Sequence, residues 1–332
     1  MEGMETEYDL TIWIPTYNRP TDLKKTLKQI EQLEINKYIN VVVSDNCSSK
    51  MDESIEELIR KLPNIELIKN RYNLSAGANF MKAFEACNTT WIHILSDDEI
   101  LHQNYLETIR NEFEQIDKFT IAIKFDTELY GKQSRCKASD LGEVIHRIPR
   151  SEINNWFNNL LLVSSWIFKR DSYGDNLRSG YLGYGTKLSH ILPILSSCDV
   201  DKRRVINFSS MQICHFQSND DSWPRAASWV EMCINTQIGH GYLSVENKTA
   251  LKRCLFGGSY AKLIAKILRI RSFYRHKDNG VSWFKILFII SIMSKTFMVL
   301  SAVLLPLLLF PRKLWPIYLR KKLGNEGSIE RW

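Results

Sequence analysis

The chain has 332 residues, 44% of them hydrophobic and 24% charged, which is ordinary for a globular protein of one large or two small domains. Its net charge of +7 favours an anionic partner such as a phosphate or a lipid headgroup. The seven cysteines are widely spaced and odd in number, which argues against a zinc site and predicts reduced thiols in the cytosol. The first nine residues are acidic and polar, so we expect no signal peptide.

Short apolar runs alternate with helical patterns through the first 100 residues. Four such runs predict strands, at residues 10–15, 39–43, 65–68 and 91–95. Three stretches between them carry apolar residues at helical spacing, at residues 23–33, 52–62 and 78–87. This alternation is typical of parallel βαβ units, so we expect an α/β fold with a mixed, mainly parallel sheet flanked by helices. The polar loops after the four strands should therefore lie along one edge of the sheet.

The fourth run, residues 91–95, leads almost directly into three acids, Asp97, Asp98 and Glu99. Its apolar part predicts a strand buried on both faces, and open α/β sheets bind ligands at the carboxyl ends of such strands. Adjacent carboxylates repel one another, and burying their charges without a partner is costly. A divalent cation such as Mg²⁺ or Mn²⁺ would be a suitable partner. The alternative is an acidic turn in solvent.

Beyond residue 100 the alternation weakens. Helices are expected at residues 105–113 and 189–197, although Pro193 interrupts the second. Strands are expected at residues 120–125 and 205–216, and residues 226–272 should be largely helical. The run 156–168 is strongly apolar without a clear period.

The segment 283–310 is nearly all apolar, but Lys295 divides it into pieces shorter than the roughly 20 residues that a membrane span requires. Basic side chains flank it on both sides, at Arg269, Arg271, Arg275, Lys277, Arg312, Lys313, Arg320, Lys321 and Lys322. An apolar element with basic flanks suits the anionic cytoplasmic face of the inner membrane, so we expect peripheral attachment there. A buried helix of a C-terminal domain is the alternative. This distribution of positive charge argues against nucleic-acid binding.

Four motifs follow the predicted strands in chain order. They are Ile14-Pro15-Thr16-Tyr17-Asn18-Arg19, Ser44-Asp45-Asn46-Cys47-Ser48, residues 73–79, and Leu95-Ser96-Asp97-Asp98-Glu99. In this order they resemble the GT-A glycosyltransferases of family 2 over residues 10–110. Three later stretches are similar to bacterial O-antigen and cell-surface polysaccharide enzymes such as abequosyltransferases: Ser164-Ser165, residues 181–190 and Asn219-Asp220-Asp221-Ser222-Trp223.

The resemblance implies a GT-A (Rossmann-like) fold that binds a nucleotide sugar with Mn²⁺ or Mg²⁺. The residues it places in the nucleotide-sugar pocket are Pro15, Tyr17, Arg19, Asp45, Asn73, Gly77, Asn79 and Asp97. Asp98 stands at the last acid of the family's Asp-x-Asp motif and is the expected metal ligand, with Asp97 contacting ribose or a metal-bound water. Ser96 replaces the first acid of that motif, which is a departure from the family.

A second departure concerns the catalytic base. Many inverting members carry a Glu-Asp pair downstream of the metal motif, and we find none here. His190 is a candidate base or acceptor contact, because imidazole titrates near neutral pH, or else a structural histidine. Asp221 is a second candidate base or part of an acceptor loop. His215 follows a predicted strand and is a candidate metal ligand, since a late histidine completes the metal shell in some GT-A enzymes.

These expectations divide the chain into a flexible N-terminus (1–9), a nucleotide-sugar-binding half (10–125), an acceptor-binding half (126–225) and a helical, apolar C-terminal extension (226–332). The expected activity is transfer of a hexosyl or deoxyhexosyl group from a nucleoside-diphosphate sugar to a lipid-linked saccharide, in O-antigen or other cell-surface polysaccharide synthesis. The alternative is an inactive GT-A scaffold in a polysaccharide assembly complex.

Overall fold

The structure is a computed structural model that describes residues 8–49, 53–127, 133–149, 151–183, 188–215 and 243–256. Its strands are β1 (Leu10–Thr16), β2 (Asn40–Asp45), β3 (Ile65–Lys69), β4 (Trp91–Ile94), β5 (Ile100–Leu101), β6 (Thr120–Lys124), β7 (Cys136–Ala138), β8 (Trp166–Lys169), β9 (Val205–Phe208) and β10 (Cys214–His215). Its α-helices are α1 (Pro20–Gln32), α2 (Glu53–Lys61), α3 (Ala76–Ala86), α4 (Tyr105–Phe113), α5 (Leu141–Ile145), α6 (Ile153–Leu160), α7 (Leu177–Leu182), α8 (Ile191–Val200) and α9 (Val245–Phe256).

Within these residues, eight strands form one mixed sheet in the order β3-β2-β1-β4-β8-β6-β9-β7. The β3-β2-β1-β4 half is parallel throughout, as the βαβ pattern predicts. β8 runs antiparallel to both β4 and β6 and lies between them. The expected mixed, mainly parallel α/β fold is therefore confirmed. A separate two-stranded ribbon joins β5 to β10.

Alternating side chains of β1 reach the two faces of the sheet. Ile12 and Ile14 pack with Leu23 and Leu27 of α1 in one buried cluster. Trp13 packs on the other face with Met81, Phe84 and further residues of the second cluster. The Trp13 indole N–H also donates to the carbonyl of Asn79 at 3.0 Å, which fixes the height of α3 against the sheet. The central strands are therefore covered on both faces, which accounts for their continuous apolar sequence.

Several later elements differ from the expectations. The predicted strand 205–216 is two short strands, β9 and β10, separated by a turn in which the Ser209 hydroxyl bonds the buried Glu112. The apolar run 156–168 contains the end of α6 and most of β8, because a change from helix to strand lies inside it. The helix predicted at 189–197 is α8, and Pro193 is tolerated because it lies in the first turn, where its missing N–H costs no intrahelical hydrogen bond.

Part of the C-terminal region is described. α9 falls within the predicted helical stretch and is joined to α5 by a 2.9 Å hydrogen bond from the Leu141 N–H to Asn247 Oδ1. Among the described helices none is long and apolar enough to cross a membrane. The flexible segment predicted at residues 1–9 lies mostly outside the described residues, and the predicted membrane-associating segment 283–310 lies wholly outside them.

Candidate functional site

The loops that follow β1 to β4 meet at one edge of the sheet, as expected. The backbone N–H of Asn46 donates to the carbonyl of Thr16 at 2.9 Å, and that of Asn70 donates to the carbonyl of Asp45 at 2.8 Å. The N–H of Leu95 donates to the carbonyl of Trp13 at 2.9 Å. These bonds continue the parallel ladder past the strand ends, so the polar loops start at the same level.

Asp97 and Asp98 lie at this edge directly after β4. Asp97 is almost buried, with 5% of its side chain exposed, whereas 27% of the Asp98 side chain is exposed. The Thr16 hydroxyl donates to Asp97 Oδ2 at 2.6 Å, and the Thr26 hydroxyl donates to the Asp97 carbonyl at 2.8 Å. The Ser96 hydroxyl donates to Asp98 Oδ1 at 2.6 Å. The first two acids of the run are therefore an ordered pair of carboxylates, with Asp97 held from β1 and α1, rather than part of a solvated turn.

Arg19 supplies a positive charge to both acids. Its Nη1 donates to Asp98 Oδ2 at 2.7 Å and to Asp97 Oδ1 at 3.4 Å. Burial raises the pKa of Asp97 to about 6; the hydrogen bond from Thr16 and the charge of Arg19 lower it, and the neighbouring Asp98 adds to the rise. Near neutral pH Asp97 therefore remains largely ionised because its partners offset part of the cost of burial.

The residues at this edge fit a hard divalent cation. Asp97 and Asp98 offer carboxylate oxygens, the ligands that Mg²⁺ and Mn²⁺ prefer, and Asp98 is accessible from solvent. In the structure, the guanidinium of Arg19 provides a positive charge that forms ion pairs with both carboxylates. The described residues contain no cluster of three or more His, Cys, Asp or Glu side chains positioned to hold a metal on their own. Further ligands would have to come from water or from a phosphate group, as is usual for Mg²⁺.

Asp45 is the last residue of β2, is only 3% exposed, and orders the loop that follows the strand. The backbone N–H of Ser48 donates to Asp45 Oδ1 at 3.0 Å, forming a turn in which Cys47 adopts a left-handed backbone with φ of 68°. Asn18 in the first loop, also left-handed, accepts from the Ser49 N–H at 2.9 Å. The first and second loops are thus tied together around Asp45.

Pro15 and Tyr17 continue the same edge. Pro15 lies inside β1, next to the buried end of the strand, and Tyr17 is 45% exposed in the first loop. An exposed aromatic ring in this loop is suited to stacking on a planar ligand. Tyr17, Arg19, Asp45, Asp97 and Asp98 therefore lie on connected loops of one sheet edge.

Asn73 and Asn79 belong to a network of amides beneath this edge. Asn73 Oδ1 accepts from Asn46 Nδ2 at 2.9 Å and from the Ser75 N–H at 2.9 Å, which orders the loop before α3. Asn79 is 1% exposed; its Oδ1 accepts from the Ser44 hydroxyl at 2.6 Å, and its Nδ2 donates to the Ser44 carbonyl at 3.1 Å. Both amide atoms of Asn79 are thus engaged with Ser44, so in this structure the side chain supports the loop after β2.

Gly77 is also buried, in the first turn of α3, two residues after the Ser75 cap. Its position, like that of Asn79, assigns it to the support beneath the edge. Of the three residues predicted for this wall of the pocket, Asn73 alone lies in a loop before the helix.

His190 lies away from these loops. It is 1% exposed at the start of α8, and its ring contacts those of Trp166 and Phe168 edge-on. Neither ring nitrogen makes a well-formed hydrogen bond within the described part of the chain. Burial lowers the pKa of His190 to about 3; the Leu160 carbonyl opposes this and the charge of Lys124 adds to it. This environment favours the structural alternative over a base that titrates near neutral pH.

His215 lies close to the metal motif along the backbone. In the ribbon of β5 and β10 it pairs with Ile100, two residues after Asp98, and its ring stacks on that of His102 at 4.8 Å. The ribbon therefore places His215 beside the backbone that directly follows the acids. Asp221, the other candidate base, lies outside the described residues.

Several site residues were not assigned roles from the sequence. Thr16 and Thr26 hold Asp97, and Ser164 Oγ accepts from the backbone N–H of Ser96 at 2.9 Å. Thr16 lies within the first motif, so its place at a strand end was a usable signal. Ser164 lies in the Ser164-Ser165 stretch, which the resemblance also marks, although without a role, whereas Thr26 lies on a helix face and carries no such signal.

Comparison with solved structures shows that the overall fold is shared with GT-A proteins. S. aureus TarS 1–349 in complex with UDP-GlcNAc has a TM-score of 0.54 at 15% identity, over 95% of this chain and 88% of that one. The mannosyltransferase PcManGT from Pyrobaculum calidifontis, in complex with GDP-Man and Mn²⁺, has a TM-score of 0.54 at 12% identity, over 92% of this chain and 88% of that one. At these identities the likeness establishes the fold alone.

Comparison of sequences gives a narrower result. No curated protein sequence matches the chain significantly. Residues 11–169 match the model of the family described as Glycosyl transferase family 2, and this range holds all four strand-end loops and both acids after β4. Residues 11–169, just under half of the chain, are therefore similar to glycosyltransferase family 2.

Proposed function

We propose that the protein is a glycosyltransferase that moves a sugar from a nucleoside-diphosphate donor to a saccharide acceptor. The observation that carries the proposal is the ordered pair Asp97 and Asp98 at the end of β4, in the range similar to family 2, beside the loops of β1 and β2. A donor whose base rests against Tyr17 and Asp45 would place its diphosphate towards Arg19 and the acids.

The chemistry of that position suits departure of a diphosphate. A divalent cation held by Asp98 would neutralise negative charge that develops on the leaving group. Arg19, whose side chain is 29% exposed, can donate hydrogen bonds to phosphate oxygens. Asp45 can accept from hydroxyl or ring N–H groups of the nucleoside. Mn²⁺ and Mg²⁺ both satisfy the donor set.

The finer part of the proposal concerns the acceptor and the place of action. We propose a lipid-linked saccharide at the cytoplasmic face of the inner membrane, in O-antigen or related cell-surface polysaccharide synthesis, with a hexosyl or deoxyhexosyl group transferred. Two features support it. The apolar segment 283–310 has basic residues on both flanks, and the later motifs resemble those of abequosyltransferases.

An inactive scaffold of the same fold is the second proposal. The burial of His190 favours it, because one of the two candidate bases is then withdrawn from solvent. A scaffold would still bind nucleotide but would not produce nucleoside diphosphate from a nucleotide sugar.

One assay separates the two. The purified full chain is offered UDP-, GDP-, CDP- and dTDP-sugars with Mn²⁺ or Mg²⁺ and a diphosphate-lipid acceptor, and released nucleoside diphosphate is measured. Metal- and acceptor-dependent release with one donor supports the enzyme. Metal-dependent nucleotide binding without release from any donor supports the scaffold, and absence of both contradicts the two proposals together.

A further inference from the structure

Asp97 and Asp98 already have hydrogen-bond donors within the chain. Asp98 Oδ2 and Asp97 Oδ1 accept from Arg19 Nη1, and Asp98 Oδ1 and Asp97 Oδ2 accept from Ser96 and Thr16. All four carboxylate oxygens therefore have a donor. The guanidinium lies on Asp98 Oδ2, the oxygen of the more exposed acid, where a divalent cation would also approach.

A divalent cation and the Arg19 guanidinium cannot share Asp98 Oδ2 without strong repulsion. Two positive centres bound to one oxygen lie only about 4 Å apart, and their repulsion is large near a protein surface. Binding of free metal at Asp98 Oδ2 therefore competes with Arg19 for that oxygen. The displaced guanidinium would lose a charge-assisted hydrogen bond, so this contact weakens the affinity of the site for metal alone.

The side chain of Arg19 can leave while its surroundings stay in place. Its backbone is fixed at the start of α1, where the Leu23 N–H donates to the Arg19 carbonyl at 3.1 Å, but 29% of its side chain is exposed. The hydroxyls of Thr16 and Ser96 continue to orient the two carboxylates after it leaves. Guanidinium binds phosphate oxygens at least as well as carboxylates, so a diphosphate offers a replacement partner.

We propose that Arg19 is a positioning residue that couples metal binding to nucleotide binding. Without nucleotide, the Arg19 guanidinium is bonded to Asp98 and weakens binding of the cation. When a nucleoside diphosphate binds, the guanidinium bonds the phosphate oxygens instead, and Asp98 Oδ2 becomes available to the cation. The coupling is reciprocal, so metal also promotes the transfer of Arg19 to the diphosphate. This inference rests on the proposed use of the site for a nucleoside diphosphate and a divalent cation.

The test measures Mn²⁺ binding to the full chain by calorimetry or by the electron-spin signal of free Mn²⁺, first alone and then with saturating nucleoside diphosphate. Arg19→Gln should bind Mn²⁺ alone about 5- to 10-fold more tightly than the unaltered protein, a modest value for such couplings. The factor by which the diphosphate strengthens Mn²⁺ binding should fall by a similar amount. A merely structural role of Arg19 would not tighten metal binding.

The matched control is Lys24→Gln, which removes the same charge from α1 at a side chain that bonds the Ser54 hydroxyl rather than a carboxylate. Its Mn²⁺ affinity should change less than twofold. Arg19→Lys keeps a charge but loses the fork of the guanidinium, and should fall between Arg19→Gln and the unaltered protein; it serves as the test if the Gln variant does not fold.

The outcomes separate this inference from the proposed function. If the unaltered protein releases nucleotide from a donor but Arg19→Gln binds Mn²⁺ alone no more tightly, the coupling is overturned and the proposed function stands. If neither protein binds Mn²⁺ with or without a nucleoside diphosphate, the inference and the metal-assisted function both fail. Tighter binding in Arg19→Gln with no change in Lys24→Gln supports the coupling.

Discussion

The hydroxyl of Thr16 at the end of β1 donates a 2.6 Å hydrogen bond to Asp97 Oδ2 in the loop after β4. This bond joins two loops whose residues are 81 positions apart in the chain. It stabilises the ionised form of Asp97 against the burial that raises its pKa to about 6. One small side chain therefore contributes to both the position and the ionised state of a site residue.

Thr16→Val should lower the free energy of unfolding by about 1.5–3 kcal/mol, the usual range for a lost hydrogen bond to a charged group. Thr11→Val is the matched control in the same strand. The Thr89 hydroxyl donates to the Trp91 carbonyl, so Thr11 donates to the neutral Thr89 oxygen, and its loss should cost only about 0.5–1.5 kcal/mol. Denaturant unfolding at pH 7 gives both values. Equal losses would show that the charge of Asp97 adds nothing to the bond.

Ser44 and Asn79 should be energetically coupled through the hydrogen bond from the Ser44 hydroxyl to Asn79 Oδ1; the bond from Asn79 Nδ2 to the Ser44 backbone carbonyl survives Ser44→Ala. In a double-mutant cycle of Ser44→Ala and Asn79→Ala, we expect an interaction energy of about 1–2 kcal/mol in unfolding, within the range for contacting residues. Ser44→Ala combined with Ser196→Ala is the control, because Ser196 bonds Asn176 instead, and those changes should add within about 0.5 kcal/mol. Additive losses for Ser44 and Asn79 would contradict the network beneath the edge.

His190→Leu should leave nucleotide release intact and increase stability more at pH 5 than at pH 7. The unfolded imidazole titrates near pH 6.5, whereas burial lowers the pKa of the folded one to about 3. Below pH 6.5 the unfolded chain therefore takes up a proton that the folded chain does not, and the unaltered protein loses up to about 2 kcal/mol by pH 5. Leucine removes that loss. His93, whose pKa burial lowers to about 4, titrates in both proteins and cancels from the difference.

Unfolding of the two proteins at pH 7 and pH 5 measures the effect. His190→Gln is the control that removes the titration but keeps a buried polar group, so it should share the pH effect without the full gain at pH 7. Loss of nucleotide release in a folded His190→Leu protein would instead assign His190 to the reaction.

Attachment of the chain to a membrane should depend on the basic residues after segment 283–310. In the full chain, Lys321→Gln with Lys322→Gln should lower the partition coefficient onto anionic vesicles, measured by sedimentation, by up to about 30-fold, because each basic residue near such a surface contributes about 1 kcal/mol. Lys25→Gln with Lys37→Gln is the control, since these exposed lysines pair with acids three residues away. Equal loss in both variants, or equal binding to zwitterionic vesicles, would contradict peripheral attachment through this segment.

The first half of the fold could be predicted because its signals are local. Each of β1 to β4 is an apolar run followed by a polar loop, and the helices between them have apolar residues at clear helical spacing. α4 was predicted at residues 105–113, as observed, for the same reason. The meeting of the four loops followed from the parallel arrangement alone.

The second half is governed by contacts that the sequence does not display. β8 enters the sheet between β4 and β6 in the opposite direction, and four residues of strand within an apolar run have no recognisable period. His190 has the side chain of a base, but its burial between Trp166 and Phe168 comes from packing of α8 and β8. The two acids were recognisable as a site, whereas the bond from Arg19 to Asp98 required the folded loops.

The most direct test of the account is nucleotide release by Asp98→Asn in the presence of Mn²⁺ and the active donor. The asparagine keeps the shape of the side chain but loses its charge, so we expect release to fall about 100-fold or more, as when a group that stabilises a leaving charge is removed. Asp22→Asn, which changes an exposed carboxylate paired with Lys25, should keep its rate. Release by a folded Asp98→Asn protein at the rate of the unaltered chain would contradict the assignment of the site.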